Sequence, residues 1–267
     1  MSVFKTNKTS FDLSKKTYIM GILNITPDSF SDGGKYISAE KALKKALEIE
    51  TLGADIIDIG AQSTRPGYTK ISAQEEWDRL SPVLGEICKS VKIPVSIDTF
   101  YPEVAKKALN LGTEIINDVS GFESPEMLKL AADYSCGAII MHSGDNIRNI
   151  KNFFNYKLRE AIQNGINAEN ICFDPGIGFG KNREQDLWVL QNIKSIKPEN
   201  NALLVGASKK RIIGYLSENE QISDRTFGTI AVDLYAQISG SNILRVHDVK
   251  ETVETSKCTD KLMGKGN

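Results

Sequence analysis

Histidine is scarce in this chain: of 267 residues only His142 and His247 are histidines. That excludes a multi-histidine zinc centre, whose tetrahedral shell needs several imidazoles or thiolates. Cysteine helps little. Cys88, Cys136, Cys172 and Cys258 are scattered, with no C-x-x-C pair, which suits free thiols in a reducing compartment. An excess of charge is missing as well. Against 33 Lys and Arg stand 34 Asp and Glu, a net charge of −1, so bulk electrostatics offers nothing to a nucleic acid or an anionic membrane. No apolar run reaches the roughly 18 residues that span a bilayer. Residues 1–14 are polar and lysine-bearing, without the apolar core of an export signal. The expectation is a cytoplasmic protein with neither a membrane nor a nucleic-acid partner. Low-complexity stretches and linkers are absent too, which points to one domain over residues 1–267.

What is present is a recurring ending. Eight apolar runs of strand length each stop at a polar residue capable of chemistry. They are Ile19 to Asn24, Ile56 to Gln62, Val95 to Asp98, Ile115 to Asn117, Ala138 to His142, Ile171 to Asp174, Leu203 to Ser208 and Ile243 to Arg245/His247. Buried parallel strands prefer apolar residues throughout, so core packing alone does not produce eight such endings in register. A loop and a helical pattern follow each run. This is the pattern of an α/β fold of a single kind, one (β/α)8 TIM barrel. Its active site is built at the strand C-termini, and it needs about 250 residues.

The helical patterns agree. Ala42, Leu43, Ala46, Leu47 and Ile49 form an apolar stripe, with Ser38 as the expected N-cap. Ser72-Ala73-Gln74-Glu75 reads as a capping box, and Ser124-Pro125 as a helix start with proline at the first helical position. Leu187, Val189, Leu190, Ile193 and Ile196 supply another inner face. Thr229 to Ile238 is an extra helix before the last strand, and Val249 to Met263 closes the barrel. Residues 1–17 form an N-terminal extension.

The loops carry the specific signals. Asn24-Ile25-Thr26-Pro27-Asp28-Ser29-Phe30 and onward to Gly34 follow the first run, and Gln62-Ser63-Thr64-Arg65-Pro66-Gly67 the second. Asp174-Pro175-Gly176-Ile177-Gly178-Phe179-Gly180-Lys181 follow the sixth. Gly206-Ala207-Ser208-Lys209-Lys210 and Arg245-Val246-His247-Asp248 belong to the seventh and eighth. Together, in order, these loops resemble those of the dihydropteroate synthase family, from about Tyr18 to Val253.

That resemblance implies a transferase of folate biosynthesis. Such an enzyme condenses 6-hydroxymethyl-7,8-dihydropterin diphosphate with p-aminobenzoate and releases pyrophosphate. It implies that Asp98, Asn117, Asp174 and Lys210 hold the pterin. An aminopyrimidinone offers adjacent N–H donors and a carbonyl, which short carboxylates and an amide can read in-plane. Thr64, Arg65, Arg245 and His247 are implied at the diphosphate, and Phe30, Pro66 and Ser208 at p-aminobenzoate. Asn24 is implied as a contact to Mg2+, an ion that takes few protein ligands and leans on phosphate oxygens and water. Asp98, Lys210 and Arg65 stand nearest the chemistry. The aniline is already nucleophilic, so no activated serine or cysteine is called for. The two loops Thr26 to Gly34 and Ser63 to Tyr68 are implied to close over the second substrate, in a pocket that sulfonamides also occupy. The family's homodimer, formed through outer helices, is carried over as an expectation.

Single features admit plainer readings. An Asp at a strand end can cap the next helix. The three glycines can serve a tight turn instead of a flat ligand. Phe30 can anchor its own loop, His247 can be a satisfied core histidine, and Lys209-Lys210-Arg211 can be a solvated helix start. The chain also departs from the family pattern. Ser143-Gly144-Asp145-Asn146 follows Met141-His142 where the family reads Met-His-x-x-Gly-x-Pro, and the stretch from there to Asp174 is short. Gln62 stands where glutamate is usual, and Lys209 where arginine is common. Two alternatives keep the same barrel: a pterin-binding methyltransferase serving a corrinoid protein, and a non-catalytic pterin-binding homologue.

Overall fold

Eight parallel strands bond edge to edge until the last meets the first. They are β3 (Tyr18–Asn24), β4 (Ile56–Gly60), β5 (Val95–Asp98), β6 (Ile115–Asp118), β7 (Gly137–Met141), β8 (Ile171–Asp174), β9 (Ala202–Val205) and β10 (Ile243–Val246). β10 pairs with β3, which closes the barrel. The computed structural model describes residues 2–25, 35–62, 69–219 and 221–266, and of residues 35–38 the backbone alone. The second and seventh apolar runs leave the ladder earlier than their sequence suggests, at Gly60 and Val205. Their final residues belong to the loops.

The outer layer is helical: α1 (Lys35–Thr51), α2 (Ala73–Leu80), α3 (Leu84–Ser90), α4 (Pro102–Leu111), α5 (Pro125–Tyr134), α6 (Ile150–Gln163), α7 (Arg183–Gln191), α8 (Ile193–Ile196), α9 (Arg211–Leu216), α10 (Thr226–Ile238) and α11 (Val249–Leu262). Both α9 and α10 stand between β9 and β10, so the extra helix is there, starting at Thr226. Local chemistry corrects some expectations. The first helix begins at Lys35, which puts Ser38 inside it and not at its cap. On its inner stripe Ala42, Ala46 and Ile49 are buried, while Leu47 turns outward. Ser72 accepts from the Glu75 amide at 3.1 Å, but Glu75 gives its carboxylate to Arg79 at 2.6 Å, so the reciprocal arm is not made. The complete capping box is Asn182 with Gln185, at the start of α7.

The N-terminal extension is a plug. β1 (Val3–Lys5) pairs antiparallel with β2 (Ser10–Asp12), Phe4 opposite Phe11. Alternate residues of a strand share a face, so this polar-looking segment turns Phe4 and Phe11 inward. Both pack with Leu13, Tyr18, Met20, Ile56, Ile115 and Ile139 in an apolar floor. Inward-facing residues alternate along every barrel strand. Two residues above the floor, the same rule aims Asp58, Asn117, Asp174 and Arg245 at the axis. The floor is apolar and the mouth polar because of a period of two.

Asp233 on α10 strains against its burial. It is fully buried, and neither of its carboxylate oxygens has a hydrogen-bond partner among the described residues. Burial pushes its pKa well up, and the Asp248 charge adds to the rise. A group whose folded pKa lies above its unfolded value penalises the fold increasingly as pH climbs past the unfolded value. Asp233→Val should therefore stabilise the chain by about 1–3 kcal/mol at neutral pH, visible as a thermal midpoint several degrees higher. The gain should shrink in melts repeated near pH 4. An equal or lower midpoint at neutral pH would contradict it.

Candidate active site

The register of the sheet builds one row of the site. Asn24 lies beside Gly60, Gly60 beside Asp98, and Asp98 beside Asn117. Glycine at position 60 leaves room in that row: a Cβ there would stand 3.3 Å from the Asp98 Cβ. Across the mouth, Arg245 from β10 reaches both carboxylates. Its Nε donates to Asp58 Oδ2 at 2.6 Å and its Nη2 to Asp98 Oδ2 at 2.7 Å. Asn117 Nδ2 donates to the same Asp58 oxygen at 3.1 Å. Burial would lower the arginine's pKa, but the charges of Asp58 and Asp98 outweigh it and hold the pKa above its ordinary value. For Asp98, burial wins over the pull of Arg245 and pushes the carboxyl up to about 7.

Asp174 and Lys210 form the other side. Asp174 Oδ1 accepts from the Gly176 amide at 2.7 Å. Burial raises its pKa, against the opposing pull of Lys210. Lys210 is the N-cap of α9. Its Nζ donates to Ile177 O at 2.6 Å and lies 4.7 Å from the centroid of the Phe179 ring. Burial brings its pKa down to about 8, with Asp174 resisting. Gly176, Gly178 and Gly180 all have positive φ, and what crowds them is the chain itself. A Cβ on Gly176 would lie 2.0 Å from His142 O, and one on Gly180 2.7 Å from Gly144 Cα. The turn, with the neighbouring loop packed onto it, explains these glycines without a ligand.

Ser208 and His247 meet at the ends of β9 and β10. Ser208 Oγ lies 3.0 Å from His247 Nδ1 and accepts from the His247 amide at 3.2 Å. Lys209, in the left-handed region at φ 58°, pairs with Asp248 at 2.8 Å, and Asp248 also accepts from Thr226 Oγ1. The basic run is therefore no solvated helix start. Lys209 ties two loops together and Lys210 points into the pocket. Phe30, Thr64, Arg65 and Pro66 lie outside the described residues.

Three residues at or behind the mouth have no role assigned from the sequence. Asp58 sits inside an apolar run and not at its end. The available signal was that Asp58 and Arg245 are lone charges within buried strands, which demand one another. Lys181 is buried, and its Nζ donates to the carbonyls of His142, Gly176 and Phe179 at 3.0–3.2 Å. Glu76 lies buried on α2 and accepts from the hydroxyl of Thr99, the residue after Asp98. Lys181 also settles the unusual segment after Met141. That segment is held by Lys181, by the Gly144 amide on Phe179 O, and by Gln185 Nε2 on Asp145 O. His142 is enclosed beside it, with its pKa brought down to about 4 by burial and then by Lys181. Gln62 is buried and accepts from the Ile71 amide at 2.8 Å.

Comparison with known proteins matches this arrangement. The model of the family described as pterin binding enzyme covers residues 20–247. A dihydropteroate synthase from Clostridium beijerinckii is 42% identical, over 96% of this chain and 98% of its own. The Xanthomonas albilineans dihydropteroate synthase, solved with 4-aminobenzoic acid, superposes with a TM-score of 0.92 at 34% identity, covering 98% of this chain and 99% of that one. The Clostridium difficile dihydropteroate synthase, solved in the presence of pteroic acid, gives a TM-score of 0.90 at 40% identity, covering 94% and 98%. This chain belongs to the dihydropteroate synthase family of pterin-binding enzymes.

Proposed function

We propose that the chain condenses 6-hydroxymethyl-7,8-dihydropterin diphosphate with p-aminobenzoate to give 7,8-dihydropteroate and pyrophosphate. One observation carries the reading: Asp98, Asn117, Asp174 and Lys210 converge at the barrel mouth, with Ser208 and His247 on its rim. The two carboxylates and the amide suit the donors of the pterin ring. The bond from the methylene carbon to the diphosphate oxygen breaks, and a bond to the arylamine nitrogen forms as that nitrogen loses a proton. Positive charge gathers on the pterin side, where Asp98 can balance it, and negative charge on the leaving group, where His247 and the amides leading into α9 can receive it. We assign Ser208 to p-aminobenzoate, beside His247.

Mg2+ fits as a companion of the diphosphate. Asn24 offers a side-chain oxygen at the end of β3 with no hydrogen bond to a described residue. Among the described residues no cluster of three or more His, Cys, Asp or Glu could cage a metal. An ion held by one amide, phosphate oxygens and water matches that donor set. When bound it would lower the charge of the leaving group.

Among the described residues no helix is long and apolar enough to cross a membrane. The free cysteines suit a reducing compartment, and we place the chain in the cytoplasm. We also propose a homodimer through α9 and α10. Tyr215, Leu216, Tyr235 and Ile238 are exposed there, Phe227 is 85% exposed, and a groove of about 530 Å3 runs beside them against α7. Such an apolar face suits a self-complementary contact. Sedimentation should show a dimer for the wild type and a monomer for Phe227→Asp; a wild-type monomer would refute it.

The functional reading is tested by mixing both substrates and Mg2+ and following product by mass spectrometry. It expects one pyrophosphate for each dihydropteroate. Dihydropteroate absent from a folded chain would overturn it.

A further inference from the structure

Glu76, on α2, has 1% of its surface exposed. Its Oε2 accepts from Thr99 Oγ1 at 3.1 Å, and its Oε1 has no partner among the described residues. Thr99 follows Asp98 in the chain. The Thr99 hydroxyl accepts from the Tyr101 amide at 3.2 Å, and the Thr99 amide donates to Asn117 O at 3.1 Å. The Thr99 hydroxyl thus links Glu76 to the turn after Asp98, while the Thr99 amide ties that turn to the strand that carries Asn117. The same helix braces the end of the neighbouring strand, because Arg79 Nη1 donates to Ala61 O at 2.9 Å.

We propose that Glu76 is a positioning residue for the condensation. Through Thr99 it fixes the Asp98 turn, and it stays a neutral acid, which leaves the negative charge to Asp98. The inference rests on the pterin reading of Asp98 given above. Charge belongs to Asp98 because of what surrounds each carboxyl. Asp98 has Arg245 at 2.7 Å, with Lys210 farther off and Asp58 and Asp118 opposing. The cation acting on Glu76 is Arg79 from its own helix, and that guanidinium is committed to Glu75 and Ala61. On α4, which packs against α2, Lys107 lies over the Trp77 ring. Burial pushes Glu76 up to about 7, with Asp98 adding to the rise.

The test is a pH titration of the carboxyl carbons by NMR, on the unliganded wild type, Glu76→Gln and Asp98→Asn. Glu76→Gln keeps the side chain's shape and its bond from Thr99, so the fold should survive. In the wild type the Glu76 carboxyl should stay protonated above the ordinary carboxylate range, and in Asp98→Asn it should titrate lower, because the neighbouring charge is gone. The Asp98 titration, the acid limb of kcat/KM for the pterin diphosphate and KM for p-aminobenzoate should all hold their places with Glu76→Gln, which is as neutral as the acid it replaces. Glu76→Leu, which cannot hold Thr99, should lower kcat/KM where Glu76→Gln does not. A Glu76 carboxyl that titrates in the ordinary carboxylate range, or a kcat/KM that Glu76→Leu leaves intact, would overturn the proposal. A neutral Glu76 in a chain that makes no dihydropteroate would overturn the functional reading and leave the buried acid standing.

Discussion

Replacing Asp174 by alanine is expected to weaken pterin binding by about 1–3 kcal/mol, roughly five- to 150-fold. The carboxylate lies at the end of β8, with the Lys210 charge acting on it from the same side of the mouth. Without it, ring donors enter a buried space and find no acceptor, a loss that exceeds the worth of an ordinary exposed hydrogen bond. Asp174 also receives the Gly176 amide, so some of the loss can come from a loosened turn. Asp174→Asn separates the two effects. It keeps an oxygen for Gly176 and removes the charge. Calorimetry with the pterin alcohol should find both variants weak, and melting should find the asparagine variant near wild type. Unchanged pterin affinity in Asp174→Ala would remove the residue from the site.

Loss of Arg245 should be felt by the fold as well as by the ligand. Asp58 and Asp98 face the same guanidinium, and taking it away leaves two carboxylates buried without their cation. Breaking one side of a buried ionic group costs about 3–5 kcal/mol, so Arg245→Ala should melt roughly 6–20 °C lower at neutral pH. The sign of the pH dependence follows from Asp98. Its folded pKa of about 7 lies above the unfolded value of roughly 4. The neutral acid therefore contributes stability that is complete below the unfolded pKa and is lost as pH rises through the folded one. Removing Arg245 raises that folded pKa further, and the defect should narrow at acid pH. Asp58→Asn in the same chain should recover part of it. A defect that does not change with pH would argue against buried charge as its cause.

Ligand binding divides Arg245 from His247. The resemblance groups both at the diphosphate. The structure joins Arg245 to the carboxylates of the pterin end and His247 to Ser208 at the rim. His247→Ala should weaken the diphosphate substrate and spare the pterin alcohol, whereas Arg245→Ala should weaken both.

The barrel was legible because its signals are local. A strand of apolar residues that ends in Asp98 or Asp174 announces both the element and the end at which chemistry sits. Asn24, Asn117, Ser208, Lys210 and His247 reach the mouth for the same reason. Asp58 was not legible at a strand end, because it lies within the strand, and the period of two that turns it inward appears only once the floor is known. Lys181 and Glu76 act on backbone carbonyls and on a threonine hydroxyl, and such partners leave no spacing in a sequence. The floor itself hid in a segment that reads as a polar, lysine-bearing extension, although Phe4 and Phe11 alternate into the barrel. Ser38 missed its role because the helix starts before it.

The measurement closest to the central claim is the initial rate of pyrophosphate release at saturating pterin diphosphate and Mg2+, with p-aminobenzoate present or left out. A mouth built to hold the pterin while an arylamine takes its carbon predicts rapid release only when both substrates are present, and slow release after Asp174→Ala. Release at the same rate without p-aminobenzoate, or no release from the folded chain with both substrates, would contradict it.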